Sequence, residues 1–215
     1  MVYADDTHQG ERFIRPTVAF DFDGTLTVRD SFTSFLRWRA GPIGYAFGLF
    51  RLIPAGIAYQ FHHDRGRMKS AAARVFLGRM GRAEIESLAR KYAEGHARSL
   101  FRPDAIKAWR RWQAQGAKLI ICTASPESIV APFARGLGAD LLIGSRFAFD
   151  DEDRFAGKLE GKNCRGPEKV RRLRAVLGLE ATLEAAYGDT AGDKEMLAIA
   201  EERGYRIFRG RPDQQ

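Results

Sequence analysis

Residues Thr17–Thr27 read TVAFDFDGTLT, and this stretch decides the fold. Thr17–Phe22 is a short apolar and aromatic run between Pro16 and the turn signal Asp23-Gly24, the pattern of a buried strand. Asp21 and Asp23 stand two apart, so in extended backbone they share a face. They fall at the carboxyl end of the strand, where open α/β sheets place their ligands. Two carboxylates this close repel unless a cation lies between them or one holds a proton. Either arrangement suits chemistry, because one carboxylate can then act as a nucleophile and its protonated neighbour as a general acid. The plain alternative is an Asp-Gly turn that ends a strand.

Outward from this stretch, strand-like runs recur at Lys118–Cys122, Asp140–Ile143 and Leu183–Tyr187, with Gly204–Phe208 as a fifth. Helical patterns alternate with them at Pro103–Gln115, Pro126–Gly136, Pro167–Leu177 and Asp193–Arg203, which predicts an α/β protein with a parallel sheet. Residues 146–160, RFAFDDEDRFAGKLE, read as a β-hairpin. Between the first two strands the chain is almost wholly helical for roughly ninety residues, far beyond what a single crossover needs. That length predicts an inserted all-helical subdomain over residues 31–100, with a core made of 16–30 and 101–215 and a polar tail over 1–15. The insert's expected helices are Asp30–Arg39, an apolar pair within 40–61, Met68–Leu77 and Arg82–Ser99.

Three further motifs follow predicted strands or open predicted helices. In Cys122-Thr123-Ala124-Ser125-Pro126-Glu127-Ser128, Ser125 suits an N-cap and Pro126 the first helical position. Free N–H groups at such a helix start bind phosphate, and the Thr123 hydroxyl adds a donor. In Gly166-Pro167-Glu168-Lys169, Lys169 falls in a helix's first turn, where a cation opposes the dipole by about 0.3 to 1 kcal/mol and calls for an anion. A solvated surface lysine is the alternative. In Gly188-Asp189-Thr190-Ala191-Gly192-Asp193, Asp189 can ligate a metal and Asp193 can hold a ligand, hold Lys169 or simply cap a helix. Hard oxygen ligands without a His or Cys cluster predict Mg²⁺.

Composition bounds the possibilities. The chain has 215 residues, 45% of them apolar and a formal net charge of +8, which excludes a disordered tail, collagen or a disulfide mini-protein. The positive balance favours anionic partners: phosphate esters, nucleic acid or acidic lipid headgroups. Two cysteines, Cys122 and Cys164, are too few for a disulfide framework, so a reducing, cytoplasmic setting is expected. The first dozen residues carry acidic groups and no apolar run, unlike a secretory signal. No eighteen consecutive uncharged apolar residues occur. Residues 40–61 come nearest, but Arg51 interrupts them, and Pro and Gly break them into short helices.

Taken in order, the four motifs resemble those of the haloacid dehalogenase superfamily of phosphohydrolases, over roughly residues 17–209. The resemblance implies a Rossmann-like parallel sheet with an inserted helical cap. It makes Asp21 the nucleophile that becomes an aspartyl phosphate, and Asp23 the acid that protonates the leaving group and then activates water. It gives Thr123, Ala124, Lys169 and Gly24 to the phosphate. Mg²⁺ would be held by Asp21, the Asp23 main-chain carbonyl and Asp189, with Asp193 in support. Positioning and neutralised charge are what phosphoryl transfer chiefly needs.

The position of the insert is similar to that in the phosphoserine phosphatase-like branch, subfamily IB. Asp30 stands nine residues after Asp21, where phosphoserine phosphatases use Glu to hold the substrate amine. Ala124-Ser125 replaces their Gly-Gly pair, however, and Gly192 replaces their Asn. The segments 29–37, 40–61, Thr123–Pro126 and Cys164–Val170 look more like the phosphatidylglycerophosphatase C family of lipid phosphatases. This resemblance implies phosphatidylglycerophosphate as substrate, with a soluble phosphate ester such as phosphoserine as the alternative. Phe47, Leu49, Phe50, Leu52, Ile53, Ile57 and Tyr59, flanked by Arg37, Arg39, Arg65, Arg67 and Lys69, suit a helix lying peripherally on an anionic membrane; packing inside the cap is the alternative. A non-catalytic basic protein bound to membrane or nucleic acid is the remaining class, and no nucleic-acid reader motif is present to favour the latter.

Overall fold

The computed structural model describes residues 15–212, so the expected polar tail lies outside them but for its last residue. β1 (Thr17–Phe20) leads into four helices, α1 (Ser31–Arg51), α2 (Ile53–His62), α3 (Arg65–Leu77) and α4 (Arg82–Leu100). Then follow α5 (Pro103–Ala114), β2 (Lys118–Pro126), α6 (Glu127–Leu137), β3 (Leu141–Phe149), β4 (Phe155–Glu160), α7 (Pro167–Leu177), β5 (Leu183–Gly188), α8 (Lys194–Ala198) and β6 (Ala200–Tyr205). The sheet order is β4-β3-β2-β1-β5-β6. All neighbours pair in parallel except β3 and β4, with Ala19 opposite Ile120 on one side of β1 and Ala186 on the other.

β1 alternates across the sheet as a strand buried on both faces does. Val18, Phe20 and Phe22 join Trp109, Ile121, Phe133 and Tyr187 on one face. Ala19 joins Ile120, Cys122, Ile143, Leu173 and Met196 on the other. Phe20 stacks on Tyr187, ring centres 4.5 Å apart, and Phe22 meets Phe101 and Phe133. These contacts fix the end of β1, and hence the place of Asp21 and Asp23.

Four expectations change. The fifth strand is not Gly204–Phe208 but Ala200–Tyr205, and the helix expected over Asp193–Arg203 is a 3₁₀ turn at Ala191–Asp193 followed by Lys194–Ala198. The polar run Glu201-Glu202-Arg203 belongs to an edge strand, whose side chains face solvent except at Ala200 and Gly204. β2 runs on through Pro126, so the next helix starts at Glu127 and Ser125 is not its cap. Asp140–Ile143 and the first arm of the hairpin fuse into one strand, β3.

The apolar stretch breaks where Pro and Gly predict. Gly41 takes φ 66°, a left-handed conformation open to glycine, and splits α1 ahead of Pro42; Pro54 opens α2. No helix among the described residues is long and apolar enough to cross a membrane.

α7 is tied at its first turn. The Glu168 carboxylate accepts from Arg171 at 2.7 and 2.8 Å and from Arg172 at 2.8 Å, and these bonds, Arg171's first, hold its pKa at about 2 despite burial. A depressed carboxylate stabilises the fold above its ordinary value, and that contribution is lost as pH falls through the folded value. Glu168→Gln is expected to lose about 1–2 kcal/mol at neutral pH, the exposed Arg171 limiting the figure. Urea melts should show the difference from wild type fading between pH 4.5 and about 2.

Candidate active site

The ends of β1, β2 and β5 and the start of α7 converge on one point. The Asp21 amide donates to the Tyr187 carbonyl (2.8 Å), extending the β1–β5 ladder by one residue and burying the Asp21 carboxylate. Beyond it the chain turns back, with Thr27 N donating to Phe22 O (3.0 Å). Gly24 takes φ 84° in this turn, and a Cβ there would lie 2.3 Å from Asp189 Oδ2. Only glycine lets the β1 loop approach the β5 carboxylate this closely.

Lys169 fills the centre. Its ammonium, with 1% of the side chain exposed, donates to Asp21 Oδ1 (2.6 Å), Asp193 Oδ1 (2.7 Å) and the Cys122 carbonyl (2.5 Å). All three donors are taken by protein. Burial opposes its charge, but Asp21, Cys122 and Asp193 outweigh burial and raise its pKa. Burial pushes Asp21 up to about 7 against the pull of Lys169, with Asp193 and Asp23 adding to the rise. The surface-lysine alternative is therefore excluded.

Asp23 faces a different set. Its Oδ1 accepts from the Ser31 amide (2.6 Å) and its Oδ2 from the Ser125 hydroxyl (2.5 Å). Burial, then the charge of Asp30, raises its pKa to about 6 against these bonds. Ser125, expected as a helix cap, instead anchors this second carboxylate from β2. Thr123 is buried, and its Oγ1 accepts from the Ser125 amide (3.0 Å).

Asp189 and Asp193 share the β5–α8 turn. Asp193 Oδ2 accepts from the Thr190 amide (2.8 Å) and hydroxyl (2.9 Å) in a capping box, so both its oxygens are engaged. Asp189 is half-buried, its pKa raised by burial and by Asp193. The Thr25 hydroxyl lies 3.4 Å from both Asp189 Oδ1 and Asp21 Oδ2. Carboxylate oxygens of Asp21, Asp189 and Asp193 come within 4.8 Å of one another. A compact all-oxygen set carrying excess negative charge fits a hard divalent cation such as Mg²⁺.

The remaining sequence-derived candidate, Asp30, is exposed and caps α1, its Oδ1 accepting from the Thr33 amide (2.6 Å). It lines the same cleft as Asp21, Asp23, Gly24, Thr123, Ala124, Lys169, Asp189 and Asp193, a cavity of 670 Å³ between the helical insert and the sheet.

Lys69 is the side chain that motif reasoning placed elsewhere. It was expected among the basic flanks of an interfacial helix, yet α3 turns it into the cleft, where it donates to the Ala124 carbonyl. Burial lowers its pKa, against the pull of Asp30, Asp23 and Asp21. Helical spacing carries the missing signal: Arg65, Met68, Lys69, Ala72 and Phe76 fall on one face of α3, and all line the cleft. Arg39 also leaves the expected flank, donating to the Phe76 carbonyl.

A mostly parallel sheet thus brings paired aspartates, a buried lysine and a further acidic turn to its carboxyl edge, an arrangement suited to a hydrolase. The chain belongs to the haloacid dehalogenase-like hydrolase family, which it matches over residues 18–198. It is 63% identical to Protein CicA of Caulobacter vibrioides over 195 residues, 91% of this chain and 87% of that protein. Among solved structures it is similar to a protein of unknown function from Bordetella pertussis Tohama I (TM-score 0.69, 20% identity, 86% of each chain). It is also similar to a substrate-bound phosphoserine phosphatase (TM-score 0.61, 17% identity, 89% of this chain and 85% of that one). At these identities the structural likenesses establish the fold.

Replacing the central cation by an apolar group leaves buried carboxylates unpaired, which costs about 3–5 kcal/mol. Lys169→Met should therefore melt well below wild type at pH 8. The deficit should shrink as pH falls toward about 7, because without the lysine's pull Asp21 of the variant takes up a proton at higher pH than in wild type, and it should level off below that; thermal melts from about pH 9 to 6 measure it.

Proposed function

We propose that this hydrolase is a Mg²⁺-dependent phosphomonoesterase that works through an aspartyl phosphate on Asp21 and acts on a phospholipid, with phosphatidylglycerophosphate as the leading substrate. The observation that carries the lipid assignment is the continuity of the cleft. Its floor holds Asp21, Asp23 and Asp189, while its walls are Phe32, Leu36, Tyr45, Leu49, Leu52 and Phe76 from the insert. The same helices carry Ile43, Phe47, Phe50 and Phe61 on the outside, each 70–78% exposed. α2 has no buried residue, so packing within the insert does not account for this apolar face. Contiguous exposed apolar surface beside Arg37, Arg51, Arg65 and Arg67 suits the headgroup region of an anionic membrane.

The chemistry follows from the floor. Asp21, buried and oriented by Lys169, attacks phosphorus, and the bond from phosphorus to the ester oxygen breaks. Asp23, with its raised pKa, gives its proton to the departing alkoxide. It then takes a proton from the water that attacks the aspartyl phosphate, releasing phosphate and regenerating Asp21. Thr123 and the main chain from Ala124 and Gly24 supply donors to the phosphoryl oxygens. Asp21, the Asp23 carbonyl and Asp189 would hold Mg²⁺, which supplies positive charge toward the phosphoryl oxygens. Asp193 acts through Lys169. Helices 31–100 serve as a cap that keeps bulk water from the cleft.

Asp21→Asn is expected to abolish Mg²⁺-dependent phosphate release from p-nitrophenyl phosphate; intact turnover would remove the nucleophile assignment. Asp23→Asn should cost about 10²- to 10⁴-fold with an alkyl ester, whose alkoxide needs a proton, and much less with p-nitrophenyl phosphate. For the alkyl ester, wild-type kcat should decline as pH rises above about 6, as Asp23 loses the proton it gives, while Asp21, beside bound Mg²⁺, would stay ionised below its metal-free value of about 7.

The lipid assignment is tested by phosphate release from phosphatidylglycerophosphate in mixed micelles beside phosphoserine and other soluble esters. Preference for a soluble ester would overturn it and leave the catalytic residues in place. In flotation, the protein should rise with phosphatidylglycerol vesicles at low salt. A Phe47→Ser, Phe50→Ser, Ile57→Ser triple variant should lose at least tenfold in vesicle affinity, since each buried apolar side chain is worth about 1.5–3 kcal/mol.

A further inference from the structure

Lys69 links the insert to the catalytic segment. Its Nζ meets the main chain at Ala124, between Thr123 and the Ser125 that holds Asp23. Among the described residues no carboxylate lies within ion-pair distance of this ammonium. One donor goes to Ala124, and two remain on a side chain that lines the cleft. A half-buried ammonium with free donors facing the cleft and no paired carboxylate is placed to receive an anion that arrives with the ligand.

The neighbouring charges narrow what that anion is. The carboxylates that would hold a metal or attack phosphorus already have their cation in Lys169, which sits on the Asp21 and Asp193 side of the cleft. Lys69 stands on the Asp23 side, the side of the proposed leaving group, because the Ala124 it meets adjoins the Ser125 whose hydroxyl holds Asp23. Arg65, one helical turn before Lys69 on the same face of α3, also lines the cleft and makes no ion pair among the described residues. A substrate ammonium beside Asp30 would meet this lysine and be repelled, whereas an anionic group on the leaving portion would be held.

We propose that Lys69, with Arg65 behind it, binds a second anionic group on the leaving portion of the substrate, so that the preferred substrate is a phosphomonoester with another anion a short linker away. This rests on the phosphomonoesterase reading above and adds a specificity determinant to it. Because the reader sits on α3, which is hydrogen-bonded to β4, and itself touches Ala124, it is held in place against the phosphate-binding segment before the ligand arrives.

The test uses two soluble esters of glycerol 1-phosphate that differ only at the third carbon, one carrying a methyl phosphodiester and the other a methyl ether. Wild type should favour the phosphodiester at least tenfold in kcat/KM. In Lys69→Met that ratio should fall to near one, chiefly through KM for the phosphodiester-bearing ester, and Lys69→Arg should restore much of it. A structural role for Lys69 would lower both substrates by one factor and leave the ratio unmoved, which would overturn the proposal, as would a wild-type enzyme without the preference. Equilibrium binding of the corresponding methylene phosphonates to wild type and to both variants gives the same comparison without turnover. If no ester is hydrolysed but the tenfold binding preference is present and depends on Lys69, the phosphatase reading fails while the anion-reading role stands. Equal binding of the two phosphonates overturns that role.

Discussion

The ammonium of Lys169 is the group on which the rest of the site depends. Its three bonds reach three separate parts of the chain: Asp21 after β1, Cys122 in β2 and Asp193 after β5. Remove its charge and two buried carboxylates face each other without compensation; remove either carboxylate and the lysine loses the reason for its place in the interior. The arrangement therefore works only as a set. The parallel sheet makes the set possible, because neighbouring strands in register end together and bring residues far apart in sequence to one edge.

Two aspartates that are chemically identical acquire different surroundings there. Asp21 is bound to a lysine and adjoins further carboxylates, whereas Asp23 receives neutral donors from Ser31 and Ser125. The difference originates in the one-residue alternation of an extended strand followed by a tight turn. Phe22, between them, packs into the aromatic cluster with Phe101 and Phe133 and so holds both carboxylates toward the cleft.

Much of this was legible in the sequence. The α/β class, the strand that ends at Asp21 and the long helical run follow from periodicity and spacing, whereas the meeting of Asp21, Lys169, Asp189 and Asp193 follows from the four motifs taken in order and the family they resemble, each motif alone having a plainer use. Boundaries set by pairing were not legible: Glu201-Glu202-Arg203 looks helical by polarity, but it is a strand because β5 offers it an edge. Ser125 was misassigned because local capping logic knows nothing of Asp23, 102 positions earlier. Lys69 was read as a surface cation because its role depends on how α3 lies against the sheet, which charge patterning does not encode. The apolar stretch 40–61 was recognised as unusual, yet only the packing separated its buried members, such as Leu52, from its exposed ones.

The attachment of α3 carries a consequence for the make-up of the cleft. Ser70 accepts from the Leu159 amide, Arg74 donates to the Gly157 carbonyl, and Phe155 N donates to Met80 O just beyond the helix, so α3 is stitched along the outer edge of β4. It thus shields that edge from pairing with another strand and is tied to the sheet. Among the described residues the segment from Gly41 to His63 has no such hydrogen bonds to the sheet: it is bounded by two residues of left-handed backbone and buries little more than Gly48 and Leu52. The cleft therefore has two unlike sides, one hydrogen-bonded to the sheet and one held by apolar packing alone, and the second is also the one whose outer face is most apolar.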